Sequence, residues 1–205
     1  IMWRMKKHLL FLFLLVAMSS HAQLRTGLLV GGGLGFDRNV APNMKNPDII
    51  EKVAKGTKLF EDYKFNLQLG YRFRIEDKKH TRWFYDIDPL VNAKMFKSKD
   101  VRSDAGRVEA NDANLSLALS SSVNYKIVKG LYAGLGLEPT WYVASDGKKF
   151  DIPLLWKVGY NINNKIDISV NYRLGFTNTI DTEKFRKGQI SDCNISVFIP
   201  FTLCK

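Results

Sequence analysis

Residues 63–75 read YKFNLQLGYRFRI and alternate without a break between two kinds of side chain. Every odd-numbered position is apolar or aromatic, and every even-numbered position is polar, charged or Gly. Because successive side chains of a β-strand point to opposite faces, this segment has one apolar face and one polar face along its whole length. A strand of this length and pattern is typical of a membrane barrel with a polar interior.

The same alternation recurs along the rest of the chain. It predicts eight strands, at residues 24–36, 63–75, 82–96, 114–127, 131–143, 150–162, 166–177 and 190–203. The connections between them are alternately long and short, as in outer-membrane barrels. The sequence therefore predicts an all-β fold, an eight-stranded antiparallel up-and-down transmembrane β-barrel with long extracellular loops and short periplasmic turns.

Three local features refine this prediction. Residues 48–58, in the first long connection, could form a short helix, and Asn163–Asn164 predicts a two-residue hairpin because Asn tolerates positive φ. Within predicted strands, proline removes a ladder hydrogen bond. We therefore expect bulges or frayed strand ends at Pro89, Pro139, Pro153 and Pro200.

The N-terminal residues have the features of a secretory signal peptide. Lys6 and Lys7 precede an apolar run over residues 9–18, and a small-x-small cleavage site ends at Ala22. We expect residues 1–22 to be a signal peptide, with residues 1–4 upstream of the initiating Met, and residues 23–205 to form the barrel. No apolar run reaches the roughly 18 residues of a membrane-spanning helix.

The chain is basic, with a formal net charge of +11 over 205 residues. Loss of residues 1–22 would remove three basic residues and no acidic one, which leaves +8. In an exported protein, this charge matches the phosphates of lipopolysaccharide better than nucleic acid. We expect outer-membrane lipid and lipopolysaccharide as partners, another envelope protein as a further candidate, and no nucleic acid.

Charged residues on the polar faces should meet inside the barrel. An eight-stranded barrel is just wide enough for side chains to fill, and charged groups cut off from water need partners. The sequence therefore predicts a plugged interior rather than an open pore. The predicted polar lumen network consists of Lys64, Arg72, Arg74, Asp86, Asp88, Lys94, Glu138, Asp167 and Arg173.

Aromatic residues on the apolar faces fall near both ends of the predicted strands. Membrane barrels carry aromatic girdles at the two membrane interfaces, so this distribution favours a membrane location. The predicted girdle consists of Phe36, Tyr63, Trp83, Tyr85, Tyr125, Trp141, Tyr160 and Phe176.

Signals for catalysis, cofactors or metals are weak. A lipid A deacylase would need Ser, His and an acid at the outer rim, but the one histidine after residue 22 is His80, in a turn predicted to be periplasmic. No Cys, His and Asp residues have metal-ligand spacing, and the glycines of residues 31–35 open no helix as a dinucleotide loop would. Cys193 and Cys204 are too far apart along one predicted strand to form a disulfide. We expect no enzyme activity and no cofactor.

Three segments of the chain resemble a known family. GLYAGLGLEP at residues 130–139, GYNINNKI at 159–166 and YRLGFTN at 172–178 are similar to the small outer-membrane β-barrel family of Bacteroidetes, often labelled porin-like or PorT-like. The resemblance covers residues 23–205 and implies the barrel fold and an outer-membrane location. It implies no catalytic residue, although the family includes a factor needed for type IX secretion.

The sequence thus predicts a non-enzymatic barrel in the outer membrane of a Gram-negative bacterium. Its expected role is structural, or in partner binding through the extracellular loops. The alternatives are an accessory subunit of a secretion or uptake machine, a narrow pore, and a lipid A-modifying enzyme. If the protein were soluble, the apolar faces would instead line a lipocalin-like binding barrel.

Overall fold

The computed structural model describes residues 22–54, 58–77, 82–101, 107–143, 150–163, 165–179 and 185–201. The side chains of residues 22, 58–64, 77, 96–101, 107–114 and 185–187 are outside this description. The predicted signal peptide therefore lies outside the described residues, except for Ala22.

The described residues form eight strands and one helix. Two of the strands are each divided into two segments, labelled a and b. The elements are β1 (Ala22–Pro42), α1 (Pro47–Ala54), β2 (Lys58–Asp77), β3 (Trp83–Val101), β4 (Arg107–Lys126), β5a (Leu131–Leu137), β5b (Thr140–Tyr142), β6a (Phe150–Asp151), β6b (Leu154–Ile162), β7 (Ile166–Leu174) and β8 (Phe185–Phe201).

The strands form a closed antiparallel barrel in which neighbours in the chain are neighbours in the sheet. The first and last strands close it, with Leu28 opposite Ile199 and Val30 opposite Val197. The predicted eight-stranded antiparallel up-and-down barrel is confirmed. We call the end with the connections 78–82, 127–130 and 163–165 the turn end, and the opposite end the loop end.

Polar side chains point into the barrel and apolar side chains point out. The buried side chains of β7 are all polar: Asp167, Ser169, Asn171 and Arg173. The exposed side chains between them are apolar or aromatic: Ile168, Val170 and Tyr172. The interior also holds a small apolar cluster of Leu29, Leu90, Ala118 and Phe198. This polarity is the reverse of that in a soluble barrel, whose apolar faces pack inside.

The four strand prolines divide into two pairs. Pro139 and Pro153 interrupt their strands and separate the a and b segments of β5 and β6. Their carbonyl oxygens still accept backbone hydrogen bonds of 2.9 and 3.0 Å from neighbouring strands, so the wall remains joined there. Pro89 and Pro200 instead keep the register of their ladders, so no bulge forms at Pro89, although the ladder of β2 and β3 has no pair between Gly70–Leu90 and Phe73–Ile87. A strand residue directs its backbone N–H to only one of its two neighbouring strands. The missing N–H of a proline therefore removes a hydrogen bond to that strand and leaves the ladder with the other strand intact.

Strand pairing continues beyond the apolar alternation at the loop end. The ladder of β3 and β4 reaches Val101 opposite Arg107, so residues 97–101 and 107–112, within the connection predicted over 97–112, are strand. Likewise β1 extends to Pro42 and β8 begins at Phe185, both within predicted connections. Strands pair through hydrogen bonds between backbone groups, which do not depend on the side chains. Pairing can therefore continue beyond the residues whose side chains alternate between apolar and polar.

Helix α1 begins one residue earlier than predicted and ends at Ala54. Pro47 occupies its first position, and Asn46 caps it, since Asn46 Oδ1 accepts a hydrogen bond from Asp48 N at 3.1 Å. Ile49 is the buried residue of the helix. Within the described part of the chain, no helix has the length and apolar character needed to cross a membrane.

Two turns at the turn end depend on positive φ. Asn163 has φ of 51°, as the hairpin prediction requires, while Asn164 lies outside the described residues. Gly130 has φ of 85°, and a Cβ there would lie 2.9 Å from both the carbonyl oxygen of Asn161 and the ring of Tyr160. The tight shape of this turn therefore requires glycine.

Candidate functional site

The interior near the turn end holds a cluster of charged side chains. We call it the turn-end ion cluster, and its members are Arg72, Arg74, Asp86, Asp88, Lys157 and Asp167. Each residue is at most 2% exposed. Three cations face three carboxylates, so the cluster has no formal net charge.

Arg74 joins three strands across the lumen. Its guanidinium, on β2, donates hydrogen bonds of 2.8 and 3.1 Å to the two oxygens of Asp86 on β3. It also donates to Asp167 Oδ2 on β7, at 2.7 Å. The other oxygen of Asp167 accepts a 2.5 Å hydrogen bond from Tyr132 Oη. The guanidinium carbon lies 4.4 Å from the ring centre of Phe84 and 5.3 Å from that of Tyr132.

Arg72 and Lys157 complete the turn-end ion cluster. Arg72 binds Asp88 through two parallel hydrogen bonds of 2.9 and 2.8 Å, the bidentate geometry that favours arginine. Lys157 Nζ donates to Asp86 Oδ2 at 3.2 Å and lies 3.7 Å from Asp88 Oδ2. Arg72 also lies 3.7 Å from both Asp86 and Asp167. Every carboxylate of the cluster therefore has at least two cations within 4 Å.

A second group of charges lies closer to the loop end. This loop-end ion cluster consists of Lys94, Glu138, Arg173 and Asp192, all at most 4% exposed. Arg173 donates to Glu138 Oε2 at 2.6 Å and to Asp192 Oδ1 at 2.9 Å. Lys94 Nζ donates to Asp192 Oδ2 at 3.2 Å. Within the described part of the chain, Arg173 is the cation that lies within 4 Å of Glu138.

Both clusters connect strands that face each other across the lumen. Arg74 links β2 to β7 in the turn-end ion cluster, and Arg173 links β7 back to β2 through a 2.7 Å hydrogen bond to Gln68 Oε1. Moving an ion from water into a protein interior costs several kcal/mol, which only close partners can offset. An open path through the barrel would have to break these contacts and leave buried charges unpaired.

Eight of the nine predicted lumen residues have described side chains, and the structure places all eight in the barrel interior: Arg72, Arg74, Asp86, Asp88, Lys94, Glu138, Asp167 and Arg173. The side chain of Lys64 lies outside the described part. The prediction omitted Lys157 and Asp192, although each follows the alternation: Lys157 lies between the outward Trp156 and Val158, and Asp192 is two residues before Asn194 on the polar face. Position in the alternation was therefore the signal that could have identified both.

The predicted girdle residues with described side chains lie on the outside of the barrel: Phe36, Trp83, Tyr85, Tyr125, Trp141, Tyr160 and Phe176. The side chain of Tyr63 lies outside the described part. At the turn end, the rings of Trp83 and Tyr125 meet edge to face with centres 4.8 Å apart. The prediction omitted the buried rings of Tyr132 and Tyr142, which point into the lumen.

A cavity of about 410 Å³ lies at the turn end, next to the turn-end ion cluster. We call it the turn-end vestibule. Its floor is formed by Arg74 with the rings of Phe84 and Tyr132, and its walls carry Glu76, Arg82, Lys126 and Lys129. Arg82 donates a 3.1 Å hydrogen bond to the hydroxyl of Tyr125, which raises the pKa of the guanidinium above its ordinary value.

The interior carboxylates are engaged by cations. Each carboxylate of the two clusters accepts at least one hydrogen bond from an arginine. Among the residues that the structure describes, no group of three or more His, Cys, Asp or Glu could hold a metal ion. His80 lies outside the described residues, as does Cys204, and Cys193 is a free, half-buried thiol.

The sequence matches neither a protein-family model nor a curated protein. Among solved structures, the chain is similar to the outer membrane protein OprG from Pseudomonas aeruginosa, at 14% identity over 87% of this chain and 92% of that one, with a TM-score of 0.48. It is also similar to the NanC porin (9% identity, 85% and 100% coverage, TM-score 0.35). A third similar structure is the P. putida toluene transporter TodX (9% identity, 89% and 66% coverage, TM-score 0.31). Similarity at 9–14% identity concerns the backbone fold and not the activity.

Proposed function

We propose that this chain is a non-enzymatic β-barrel of the outer membrane of a Gram-negative bacterium, with its lumen closed by the two ion clusters. The observation that carries the proposal is the reversed polarity of the barrel. Every strand exposes a large apolar side chain, at least 43% accessible, on the outer surface: Leu34, Leu69, Val91, Leu117, Leu135, Val158, Val170 and Ile195. Soluble monomers rarely expose a continuous apolar surface larger than a few hundred Å², whereas lipid requires one.

The closed sheet supports the same location. A bilayer offers no water to hydrogen-bond backbone groups, so a membrane-spanning sheet must have no open edge. Pairing of β1 with β8 removes that edge. The outward aromatic residues near both ends fit the two interfaces of the membrane. We orient the barrel in the membrane with the short turns facing the periplasm and the longer connections facing the cell exterior. Residues 1–22 are, in this proposal, a cleaved signal peptide.

The closed lumen favours a role that uses the ends of the barrel rather than its interior. We propose an envelope structural or partner-binding role through the extracellular loops, in contact with lipopolysaccharide and with another envelope protein as a candidate partner. The formal charge of +8 after loss of residues 1–22 supports contact with lipid phosphates. Membership of the porin-like barrels of Bacteroidetes is part of this proposal, and the three segments quoted above support it.

The first test is the gel migration of the detergent-solubilised membrane fraction, boiled against unboiled. We expect the unboiled protein to migrate faster because the folded barrel resists detergent. Recovery of the protein in the soluble periplasmic fraction, with no mobility difference, would overturn the membrane location and favour a soluble binding barrel.

A matched pair of substitutions tests whether lipid or water surrounds the outer surface of the barrel. Leu117→Arg places a charge on the outer surface of β4, where lipid would make it cost about 2–4 kcal/mol of folding free energy. Met44→Arg places the same charge in the exposed turn after β1 and should have little effect. Both residues are at least 51% exposed, so a soluble barrel would tolerate both changes equally.

Electrical conductance across a lipid bilayer tests whether the lumen is closed. Purified barrel in a planar lipid bilayer should give no steady conductance steps, because the ion clusters block the water path. Regular steps at modest voltage would contradict closure and support a narrow pore, without affecting the membrane assignment.

A further inference from the structure

We infer that the turn-end vestibule is a binding site for a phosphate-bearing anion. Neither the closed lumen nor the apolar outer surface accounts for this cavity of about 410 Å³. The inference about binding rests on the geometry of the barrel end. Only the exposure of the vestibule to the periplasm rests on the proposed function.

The walls of the vestibule carry an excess of positive charge. Arg82, Lys126 and Lys129 face the single carboxylate of Glu76, which leaves an excess of two charges among the described wall residues. Glu76 Oε2 is already engaged, 3.2 Å from Lys126 Nζ and 3.9 Å from Arg25 Nη2. Arg74, on the floor, is neutralised by the turn-end ion cluster. A doubly charged anion such as phosphate matches this excess better than a single carboxylate does.

The donors in the walls also suit phosphate. A guanidinium carries five N–H groups in a planar fork, and an ammonium carries three. The Arg82 fork lies at the protein surface and makes a 3.1 Å hydrogen bond with Tyr125 through one nitrogen, Nη1. Lys126 is the last residue of β4, Lys129 lies in the 127–130 turn, and Arg82 immediately precedes β3, so the three cations come from two separate places along the chain at the barrel end.

The vestibule is held in shape before any ligand arrives. The turn over residues 127–130 is closed by a 3.1 Å hydrogen bond from Leu131 N to Val128 O, and Gly130 O accepts a 2.8 Å hydrogen bond from Asn161 N. The floor rings of Phe84 and Tyr132 meet edge to face, with centres 5.0 Å apart. A site that is already ordered loses less entropy on binding, which favours affinity.

The phosphate group could come from two sources. It could belong to a soluble anion, or to the headgroup of a phospholipid in the adjacent leaflet. Ile127 and Val128 at the rim are apolar and more than half exposed, and they would lie beside the glycerol and upper acyl region of such a lipid. The recognised group is the same in both cases if the lipid ends in a phosphomonoester, as phosphatidic acid does, because this group carries close to two negative charges, like inorganic phosphate.

The test is a calorimetric titration of the purified full-length barrel in a neutral, phosphate-free detergent. One arm uses inorganic phosphate, and the other uses monomeric dihexanoyl phosphatidic acid, whose headgroup is a phosphomonoester. Binding of inorganic phosphate identifies a soluble-anion site, and binding of the short-chain lipid alone identifies a headgroup site. Both outcomes support the inference. Absence of binding in both arms overturns it.

Variants locate the site within the vestibule. The double variant Arg82→Gln/Lys129→Gln should weaken binding about tenfold or more, because a hydrogen bond to a charged group is lost at each position. The control is Lys165→Gln, an exposed lysine in a different turn at the same end, outside the vestibule lining. Equal weakening by the control would mean diffuse attraction to a basic surface and would overturn the site.

Gel mobility keeps the two proposals separate. Each variant is first checked for faster migration when unboiled, so that a lost fold is not mistaken for a lost site. A folded, membrane-embedded barrel that binds no phosphate contradicts the site alone. A protein that is soluble but binds phosphate contradicts the membrane location alone.

Discussion

The two ion clusters bury the same kinds of group but connect them differently. In the turn-end ion cluster, each of Asp86, Asp88 and Asp167 has at least two cations within 4 Å. In the loop-end ion cluster, Glu138 and Asp192 share Arg173, and Asp192 alone has Lys94 in addition. The strands around the two clusters differ as well, because β5 and β6 are interrupted near the loop end and continuous near the turn end.

This difference indicates where the barrel tolerates damage. A buried carboxylate that loses one of two cations keeps a partner, while one that loses its single cation becomes an uncompensated buried charge. We therefore expect the turn-end ion cluster to be redundant and the loop-end ion cluster to depend on Arg173.

The largest effect should come from Arg173→Met. It leaves Glu138 without the one cation found within 4 Å in the described part of the chain, and it removes the donor to Gln68. We expect the free energy of unfolding to fall by about 3–5 kcal/mol, as for other broken buried ion pairs. A urea titration in detergent, followed by tryptophan fluorescence, measures it.

The control is the double variant Arg173→Met/Glu138→Gln. The neutral amide of Gln at position 138 needs no cation, so the double variant should recover part of the stability that Arg173→Met loses. A double variant less stable than Arg173→Met would show that the loss comes from packing and not from the unpaired carboxylate.

Arg74→Met should lower the free energy of unfolding less, although Arg74 has five hydrogen-bonding and stacking neighbours: Asp86, Asp167, Phe84, Tyr132 and Phe198. Asp86 keeps Lys157 at 3.2 Å, and Asp167 keeps the hydroxyl of Tyr132 at 2.5 Å. We expect a loss of about 1–3 kcal/mol in the same titration, the range for buried polar groups left partly unsatisfied. A larger loss than for Arg173→Met would break the comparison and show that redundancy does not protect the turn end.

Gly159→Ala tests how tightly the turn end is packed. A Cβ at this position would overlap the ring of Tyr132, whose hydroxyl is bound to Asp167 and resists movement. We expect a loss of about 1–2 kcal/mol from this overpacking. Gly32→Ala, on the outer face of β1, is the matched control: its Cβ would lie 3.2 Å from the carbonyl oxygen of Asn66 and would overlap no ring, and we expect a loss below about 1 kcal/mol. Equal losses would point to backbone effects of alanine rather than to the ring.

The smallest effect concerns the outer surface. Trp83→Leu removes the edge-to-face contact with Tyr125, so unfolding from lipid vesicles should become easier by about 0.5–1.5 kcal/mol. Trp141→Leu, in the short segment β5b near the loop end, serves as the comparison. A greater loss at Trp141 would mean that the loop-end interface anchors the barrel more strongly than the turn-end one.

The alternation of side chains predicted the faces of the strands better than their lengths. It placed Arg72, Arg74, Asp86 and Asp88 on inward positions, because facing depends only on the local period of two residues. It did not predict the pairing of residues 97–101 with residues 107–111, because backbone hydrogen bonds continue there without an apolar pattern. It also did not distinguish Pro139, which ends a strand segment, from Pro89, which stays in register.

The sequence by itself determined the number of strands, their antiparallel order and which side chains face inward. These properties follow from the local period of two residues along each strand, and from tight turns at one end of the barrel, which can join only antiparallel neighbours. Only the tertiary structure decided which charges meet. Arg74 and Asp167 are 93 residues apart in the chain, and a register shift of two residues would keep both facing inward while giving each a different partner. The turn-end vestibule depends on the same register, because its floor and walls come from strands and turns that only barrel closure brings together.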